Sequence, residues 1–424
     1  MPFAVPAVTK GNVLEGLPSP SILLIGTLDT KGVEIGYTRD RLRALGATPL
    51  VLDSGILGDP IEIAPDISRD EVARAAGSTI DALRAAGTRG AAVERMKEGV
   101  RQVALDLLAR GSLDGVLCLG GAEGAVMGAT AMKALPLGIA KVVVTPIASG
   151  RRPFGPLIGD KDIFVMHSVV DILGINPISR TVYDNAAAAV YGIAVHGSRF
   201  TPDAAGHYVA LTMLGNTTKG VMRVRDRLAA RGLEAVIFHS NGVGGPAMEE
   251  LAEQGTFVGV VDYTTDELSD ALVGGFHAAP DNRLERIGAI GLPQVVVPGC
   301  VDFTVHGSRD AVPERLRGRP AYYHNPEFTL VRLTRDEMIE IGRRMARKLS
   351  LARGPIEVVV PTRGLSIPNV PEGVFWDPDA DAAFLDALRT GLRHDIPLHT
   401  RDAHINDVEF ADFVAERFID VCRI

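Results

Sequence analysis

The chain has little cysteine and no long apolar run, and each absence argues against a class of protein. Only three of its 424 residues are cysteine, and they form no C-x-x-C pair and no even-numbered framework. This pattern predicts a reduced, cytoplasmic protein rather than a disulfide-stapled secreted one. No uninterrupted apolar stretch is long enough to span a bilayer, and the first twenty residues hold no apolar core of signal-peptide length. We therefore expect no membrane association.

An excess of positive charge is also missing. The 44 Lys and Arg residues are outnumbered by 52 Asp and Glu residues, for a net charge of −8. This balance argues against non-specific binding of nucleic acid, although a local set of backbone donors could still hold a nucleotide. The Walker A order Gly-Lys-Ser/Thr, a strict G-x-G-x-x-G fingerprint and standard zinc spacings are all absent. No metal site is therefore predicted.

What the chain does contain is an internal repeat of an α/β unit. The segment Asp40–Pro60 aligns without a gap with Asp226–Pro246, and each copy is preceded by an apolar run and a Gly/Thr/Lys loop. Apolar runs of strand length alternate with stretches of helix length, which is typical of parallel sheets covered by helices. The chain also exceeds the length of one typical core. We predict an α/β protein of two Rossmann-like, mostly parallel, doubly wound domains related by internal duplication, at residues 1–200 and 201–424.

The first copy of the repeat is predicted to contain a phosphate-binding loop. A strand over Ser21–Gly26, a helix over Lys31–Leu45 and a strand over Thr48–Leu52 surround it. The loop offers backbone N–H groups, two hydroxyls, a carboxylate and an ammonium, the mixture that phosphate recognition needs. A plain strand-to-helix turn with a side-chain helix cap is the alternative. The nucleotide-binding candidates in this loop are Gly26, Thr27, Asp29, Thr30 and Lys31.

Further anion-binding candidates follow later strands of the first half. The Gly120–Gly124 loop lies between an apolar strand and a helix, and its small residues would let a ligand approach the backbone closely. Tight strand–helix packing is the alternative there. After the next strand, a turn with two arginines and a polar segment could grip an anion, although exposed arginines are more often only solvated. The candidates from these segments are Gly120, Gly121, Gly124, Ser149 and Arg180.

The second half carries polar residues that could form a substrate site. Its predicted strands include Thr256–Val261, and a histidine at the end of another strand opens a Gly-rich turn, where it could act as a general acid or base. We predict that two polar segments, 323–326 and 402–407, converge near that turn. Locally satisfied histidines and a helix cap at 406–407 are the alternative. The catalytic candidates are His239, Asp302, His324 and His404, and the cleft candidates are Asn241, Gly242, Gly244, Asn325 and Asp407.

In combination, these stretches resemble the Tm-one-like ATP-binding domain family. The resemblance runs nearly end to end, although no single motif is specific. It implies two Rossmann-like domains, ATP binding and self-association into a homo-oligomer. The stretches that carry it are Gly26–Gly32, Gly120–Gly124, Ser168–Asn176 with Ile178–Arg180, Gly242–Glu249, Gln294–Gly299, His324–Pro326 and Asp402–Asp407.

The leading hypothesis is an ATP-binding protein, extended by ATP-dependent chemistry on an unidentified small molecule in a cleft between the two halves. ATP is the expected cofactor, and Mg²⁺ could accompany it. Nucleic acid and membranes are not expected partners. Two alternatives stay open: a non-catalytic nucleotide-sensing or scaffold protein, and a carbohydrate- or organic-acid-processing enzyme that does not use ATP. Whether the chain is an enzyme is left open as well.

Overall fold

The first strand of the chain has an apolar core on each of its two faces. Ile22 and Leu24 belong to one cluster of buried side chains, whereas Leu23 and Ile25 belong to another. Because side chains alternate along a strand, a strand with no polar face must be covered on both sides. The local sequence therefore dictates a sheet between two layers of helices.

The computed structural model describes residues 19–148, 155–201 and 206–423. They fall into two compact units that divide between Phe200 and Thr201. Each unit contains a parallel sheet flanked by helices, which confirms the predicted fold class. Within the described residues, every helix is too short or too polar to cross a membrane.

The N-terminal unit is built on a five-stranded parallel sheet in the order β2-β1-β3-β4-β5. Helices α1 and α6 cover one face, and α4 and α5 cover the other. The strand order reverses between β1 and β3, which is where open α/β sheets bind ligands. The elements are β1 (Ser21–Gly26), α1 (Leu28–Ala44), β2 (Thr48–Asp53), α2 (Arg69–Ala75), α3 (Ile80–Arg84), α4 (Arg89–Ala109), β3 (Gly115–Leu119), α5 (Ala122–Lys133), β4 (Ala140–Thr145), β5 (Phe164–His167) and α6 (Pro177–His196).

The C-terminal unit contains a six-stranded parallel sheet and a separate three-stranded antiparallel sheet. Its elements are β6 (Tyr208–Met213), α7 (Thr218–Ala229), β7 (Glu234–His239), α8 (Gly244–Glu253), β8 (Gly259–Thr264), α9 (Glu267–Val273), α10 (Arg286–Ile290), β9 (Gln294–Gly299), β10 (Phe303–His306), β11 (Ala321–Asn325), β12 (Phe328–Arg332), α11 (Arg335–Leu349), β13 (Ile356–Pro361), α12 (Pro378–Gly391), β14 (Leu398–Arg401) and α13 (Val408–Cys422).

The two parallel sheets share one strand order. The second sheet runs β7-β6-β8-β9-β13-β14, so its first five strands follow the same pattern as the first sheet. The repeated segments both run from a helix into the outer strand, from α1 to β2 and from α7 to β7, as an internal duplication predicts. The C-terminal unit differs by β14, which extends the sheet, and by the antiparallel sheet β10-β12-β11, inserted between its fourth and fifth parallel strands.

Three element predictions need correction. Helix α1 begins at Leu28 rather than Lys31, because the Leu28 N–H donates to the Asp53 carboxylate at 3.0 Å and so starts the helix early. Strand β8 lies three residues later than predicted and contains a buried acidic residue, Asp262, which pairs with an arginine. Strands β10 to β12 and β14 were not predicted.

Candidate functional site

A pocket of about 880 Å³ lies in the N-terminal unit at the carboxyl ends of β1, β2 and β3. Thr27, Ser54 and Gly121, which follow these three strands closely, all line it. This is the place where the strand order reverses, and open α/β sheets bind ligands there. The volume falls within the roughly 300–1,000 Å³ of small-molecule sites.

Two helix N-termini open into this pocket without a cap from their own N-cap residues, although Asp53 accepts the first N–H of α1. Helix α1 begins after Thr27 and α5 after Gly121, and neither residue's side chain accepts a bond from the first turn. The first-turn N–H groups of a helix need acceptors, and a helix N-terminus carries partial positive charge. Both ends can therefore bind an anion. The other helices of this unit are capped by side chains, at Ser68, Thr79, Thr88 and Asn176.

Four of the five candidates from the first loop line the pocket, although they sit on the first turn of α1 rather than in a loop. The hydroxyls of Thr27 and Thr30 share a hydrogen bond of 3.0 Å. Asp29 accepts from the Gly58 N–H at 3.0 Å, and the Lys31 ammonium donates to the carbonyl of Ile172. The turn therefore presents hydroxyls and both signs of charge to the pocket.

The fifth candidate, Gly26, serves packing. A Cβ at this position would lie 2.5 Å from Cδ1 of Ile35, so glycine leaves room for this side chain where α1 packs on β1. The same distinction holds in the second loop. A Cβ at Gly120 would lie 2.6 Å from the Ala125 nitrogen, whereas Gly121 and Gly124 line the pocket with open space around their α-carbons.

The two other nucleotide-binding candidates have different outcomes. Ser149 lies outside the described residues. Arg180 lies on α6, where its guanidinium stacks 5.4 Å from the centre of the Tyr37 ring, and it does not line the pocket.

One wall of the pocket is apolar. Arg84 fixes the segment that forms part of this wall, since its guanidinium donates to the carbonyls of Ile56 and Leu57 at 2.7 and 3.0 Å. The flat, weakly polar ring of a ligand can lie against such a surface while the anionic end of the same ligand meets the helix termini. The apolar side chains are Ile56, Leu57, Leu83, Val93 and Met127.

Asp53 was not among the predicted site residues. Its buried carboxylate holds the first turn of α1 and the turn after β2 in place. One of its oxygens accepts from the N–H groups of Leu28 and Gly55 at 3.0 and 2.8 Å. Burial raises the pKa of its carboxyl. In dinucleotide-binding folds, an acidic residue after the Gly-rich turn binds a ribose hydroxyl. Here the carboxylate at the end of β2 is buried and accepts the first N–H of α1. It therefore does not follow the dinucleotide pattern.

In the C-terminal unit, a carboxylate of the protein itself fills the Gly-rich turn after β7. Glu267 Oε1 accepts from the N–H groups of Gly242 and Gly245 at 2.9 and 3.2 Å. Its other oxygen accepts from Nε of Arg283 at 2.5 Å. Asn241 accepts within the same turn, from the Gly244 N–H at 3.2 Å. The turn is therefore satisfied internally: of the predicted cleft residues, Gly242 binds Glu267, whereas Asn241 and Gly244 bind each other.

A fully buried arginine connects this turn to the sheet. Arg283 donates two hydrogen bonds to Asp262 on β8, at 2.6 and 2.8 Å, and one to Glu249 on α8 at 3.2 Å. Burial raises the pKa of Glu249 to about 7. The three carboxylates around one guanidinium, those of Glu249, Asp262 and Glu267, form a network that we call the Arg283 cluster.

Three other predicted residues of this unit belong to a different set of hydrogen bonds. Asp302 is buried and accepts from the Ser366 hydroxyl at 2.7 Å, and His404 Nε2 donates to the Ser366 carbonyl at 2.9 Å. Asp407 accepts from the His404 backbone N–H at 2.7 Å. Ser366 thus connects Asp302 with His404 across the sequence, and Asp407 joins them through a local bond to the His404 backbone.

The remaining candidates are exposed. His239 ends β7, and His324 lies on β11 with its ring 6.4 Å from that of Tyr322. Asn325 accepts from two backbone N–H groups of its own hairpin turn. None of the described hydrogen bonds joins this hairpin to His404 or to the turn after β7, and the convergence of these groups stays a prediction.

Sequence reasoning missed a histidine–carboxylate pair in this unit. His277 Nδ1 lies 2.8 Å from Oδ2 of Asp266, and both residues flank the short helix α9. The only sequence signal is a histidine shortly after the acidic run Asp262–Asp270. That run contains four carboxylates whose partners are distant in sequence, so no local motif marks the pair.

Comparison with known proteins matches both units. Residues 20–199 match the N-terminal domain and residues 206–422 the C-terminal domain described as "Uncharacterised protein family (UPF0261)". A "UPF0261 protein" of Clostridium tetani is 38% identical over 404 residues, which cover 94% of this chain and 98% of that protein. The "ToMV susceptible protein tm-1(GCR26)" of Solanum lycopersicum is 31% identical over 425 residues, covering 95% of this chain and 56% of that protein.

Among solved structures, one titled "Crystal structure of UDP-N-acetylglucosamine 2-epimerase" aligns with 95% of this chain and 96% of its own. The TM-score is 0.25 and the sequence identity 10%. Similarity at this level carries no argument about fold or function.

Proposed function

This chain belongs to the uncharacterised protein family UPF0261, and we propose that its N-terminal unit binds ATP in the 880 Å³ pocket. The observation that carries the proposal is the pair of uncapped helices, α1 and α5, that begin at this pocket while the other helices of the unit are capped. Phosphate oxygens would supply acceptors for the first-turn N–H groups that Asp53 does not already bind.

The phosphate end of the ligand would lie against the first turns of α1 and α5. Thr27 and Thr30 offer hydroxyls there, and Gly121 lets the phosphates approach the backbone because no side chain intervenes. Lys31 supplies a point positive charge at the same turn. These donors fit a polyphosphate better than a single carboxylate, because they come from two helices rather than one.

The base would lie against the apolar wall formed by Ile56, Leu57, Leu83, Val93 and Met127. Binding sites for small molecules combine such a surface with a few convergent polar groups. The wall is held in place by the two hydrogen bonds of Arg84. It therefore gives a preformed surface for a flat ring.

Mg²⁺ would bind together with the phosphates. Asp29 and Glu123 line the pocket, and Mg²⁺ is commonly held by one or two carboxylates plus substrate phosphates. Within the described residues, no group of three His, Cys, Asp or Glu side chains could hold a metal ion alone. We therefore expect ATP affinity to depend on Mg²⁺, and Mg²⁺ without nucleotide to bind weakly.

Calorimetric titration of the full chain with ATP tests the proposal. At about 100 times its dissociation constant, ATP should stabilise the protein by roughly 2.7 kcal/mol, visible as a rise in melting temperature. Titrations with adenosine and with inorganic triphosphate separate the two ends of the pocket, because each ligand can use only one of them. We expect both to bind more weakly than ATP. Absence of heat and of a thermal shift with millimolar ATP and Mg²⁺ would overturn the proposal.

A further inference from the structure

His277 is held at the carboxyl edge of the six-stranded sheet by contacts from different elements. Its Nδ1 donates to Oδ2 of Asp266 at 2.8 Å, and its backbone N–H donates to Asp270 at 3.1 Å. Asp266 is itself fixed, because its Oδ1 accepts from the hydroxyl of Ser240, after β7, at 2.6 Å. The imidazole therefore has one defined orientation.

The bond to Asp266 also determines which ring nitrogen can react. A carboxylate only accepts, so Nδ1 carries the proton and Nε2 of the neutral ring presents its lone pair. None of the described hydrogen bonds uses this Nε2. The His277 side chain is 13% exposed, whereas that of Asp266 is 0% exposed. A buried carboxylate that orients a histidine whose other nitrogen faces the reactants is the arrangement found in catalytic triads.

Two exposed apolar residues belong to the segments that meet at His277. Phe276 is 61% exposed and Val243 is 41% exposed. Val243 follows Gly242, which packs so tightly on this segment that a Cβ there would lie 3.0 Å from the His277 carbonyl oxygen. These two residues give the segment around His277 an exposed apolar surface.

The charges around the ring disfavour an anionic substrate. Asp266, Glu267 and Asp270 all lie on or next to α9 beneath His277, and only Glu267 is paired with a buried arginine, Arg283. A further negative charge brought to this site would be repelled by these carboxylates when they are ionised, which for Asp270 requires a pH above about 7. The surroundings therefore disfavour an anionic substrate.

We propose that His277 and Asp266 form a general acid–base pair that acts on an uncharged substrate in which a carbonyl or hydroxyl group adjoins an apolar part. This activity is separate from ATP binding, because every residue that carries it lies in the C-terminal unit. Asp266 is a positioning residue, and His277 is the group that exchanges the proton.

Hydrolysis of an ester illustrates the step. Nε2 accepts a proton from water while the water oxygen bonds to the carbonyl carbon. The bond from that carbon to the leaving oxygen then breaks, and the leaving oxygen takes the proton back from Nε2. Ester and water give acid and alcohol, and His277 returns to its starting state without any oxidant or reductant.

The test uses 4-nitrophenyl acetate, an uncharged aromatic ester, with the full chain. We expect the wild-type protein to release 4-nitrophenolate on the order of 10²-fold faster than His277→Gln, after subtraction of the buffer rate. The matched control is His394→Gln, which removes an exposed histidine after α12 and should retain the wild-type rate. Circular dichroism and melting temperature establish that each variant is folded.

A second variant tests the pair without removing the ring. In Asp266→Asn the amide can donate to Nδ1, which would move the ring proton to Nε2 and lower the rate by more than tenfold. Burial lowers the pKa of His277, but the hydrogen bond and charge of Asp266, with the charges of Asp270 and Glu267, raise it above the ordinary value. The rate should therefore rise with pH through an inflection above about 6.5 in the wild type. Arg315, whose guanidinium lies near Gly274, is the neighbouring cation.

Three outcomes would overturn the proposal. The first is a wild-type rate equal to that of buffer. The second is a folded His277→Gln variant as active as the wild type. The third is an unchanged pH profile in Asp266→Asn, which decides the matter even if His277→Gln does not fold.

Discussion

At the residue scale, Lys31 has two competing uses. Lys31 lines the pocket, but its ammonium donates to the carbonyl of Ile172, which does not line it. If ATP binds there, Lys31→Ala removes a charge-assisted contact worth about 1.5–3 kcal/mol, so affinity should fall by about tenfold or more. Calorimetric titration with ATP measures the change.

Lys133→Ala is the matched control for Lys31. This lysine lies in the same unit and also donates to a carbonyl, that of Pro156 at 2.9 Å, but it does not line the pocket. Its loss should leave the ATP affinity unchanged. Equal affinities for wild type and Lys31→Ala would remove the α1 turn from the phosphate site.

Arg283 shows how strongly a single buried residue can matter. Arg283→Met would leave the carboxylates of Glu249, Asp262 and Glu267 buried without their common partner. Such a loss costs about 3–5 kcal/mol of unfolding free energy. Arg286→Met is the control, because Arg286 pairs with the more exposed Glu253 and should cost no more than about 1 kcal/mol. Urea denaturation measures the unfolding free energy of both variants. Similar decreases in the two would contradict a special contribution of the Arg283 cluster to stability.

Residue types were predictable from the sequence, but their roles were not. Asp29 and Asp53 both lie near the ends of strands, yet one lines the pocket and the other is buried beneath it. The packing of α1 against β2 alone determines which of the two carboxylates reaches the pocket. His277 could not be identified because its orientation depends on Asp266 and Ser240, which meet it through tertiary structure.

At the scale of single elements, the N-terminus of α5 offers a direct test of the anion site. A side chain at Gly121 would meet no atom within 4 Å, and its φ of −66° suits any residue. Gly121→Asp should cap the helix, raise the free energy of unfolding by about a few tenths of a kcal/mol and repel phosphate. We therefore expect a higher melting temperature together with weaker ATP binding.

Gly121→Ala is the control for the aspartate, since it adds a side chain without a charge or an acceptor. It should bind ATP within a few-fold of the wild type, because the space around Gly121 is open. ATP affinity that survives Gly121→Asp, with the helix stabilised as expected, would exclude α5 from the binding site.

The parallel strands were predictable because their apolar runs are continuous, whereas other elements depend on distant contacts. The start of α1 moved to Leu28 because Asp53, on another strand, accepts its N–H. Strand β10 was missed because it buries Thr304 and His306 alongside Phe303 and Val305. Buried polar residues interrupt the continuous apolar run by which a buried strand is recognised in a sequence.

At the scale of the whole molecule, the buried acids predict how stability depends on pH. Burial raises the pKa of Asp270 and of Glu249 to about 7, against about 4 in an unfolded chain. Between these values the folded state holds protons that the unfolded state has released. Stability contributed by these groups is therefore present at low pH and is lost as pH rises towards 7, at up to about 1.4 kcal/mol per pH unit and group.

Urea denaturation of the C-terminal transition between pH 5 and pH 8 measures this effect. We expect the unfolding free energy to fall with pH in the wild type. In Asp270→Asn the fall should be smaller, because one of the two titrating groups is gone while the amide oxygen can still accept from Val305. A slope that is unchanged in the variant would show that Asp270 does not titrate in this range.

The sixth strand of the second sheet distinguishes two halves that otherwise match. Five strands share one order in both sheets, whereas β14 and the antiparallel insertion occur in the described residues of the second half alone. The strand ends differ as well. In the first unit they border an open cavity, whereas in the second the N–H groups of Gly242 and Gly245 already bind Glu267. An external anion could reach that second turn only in competition with a carboxylate of the chain itself.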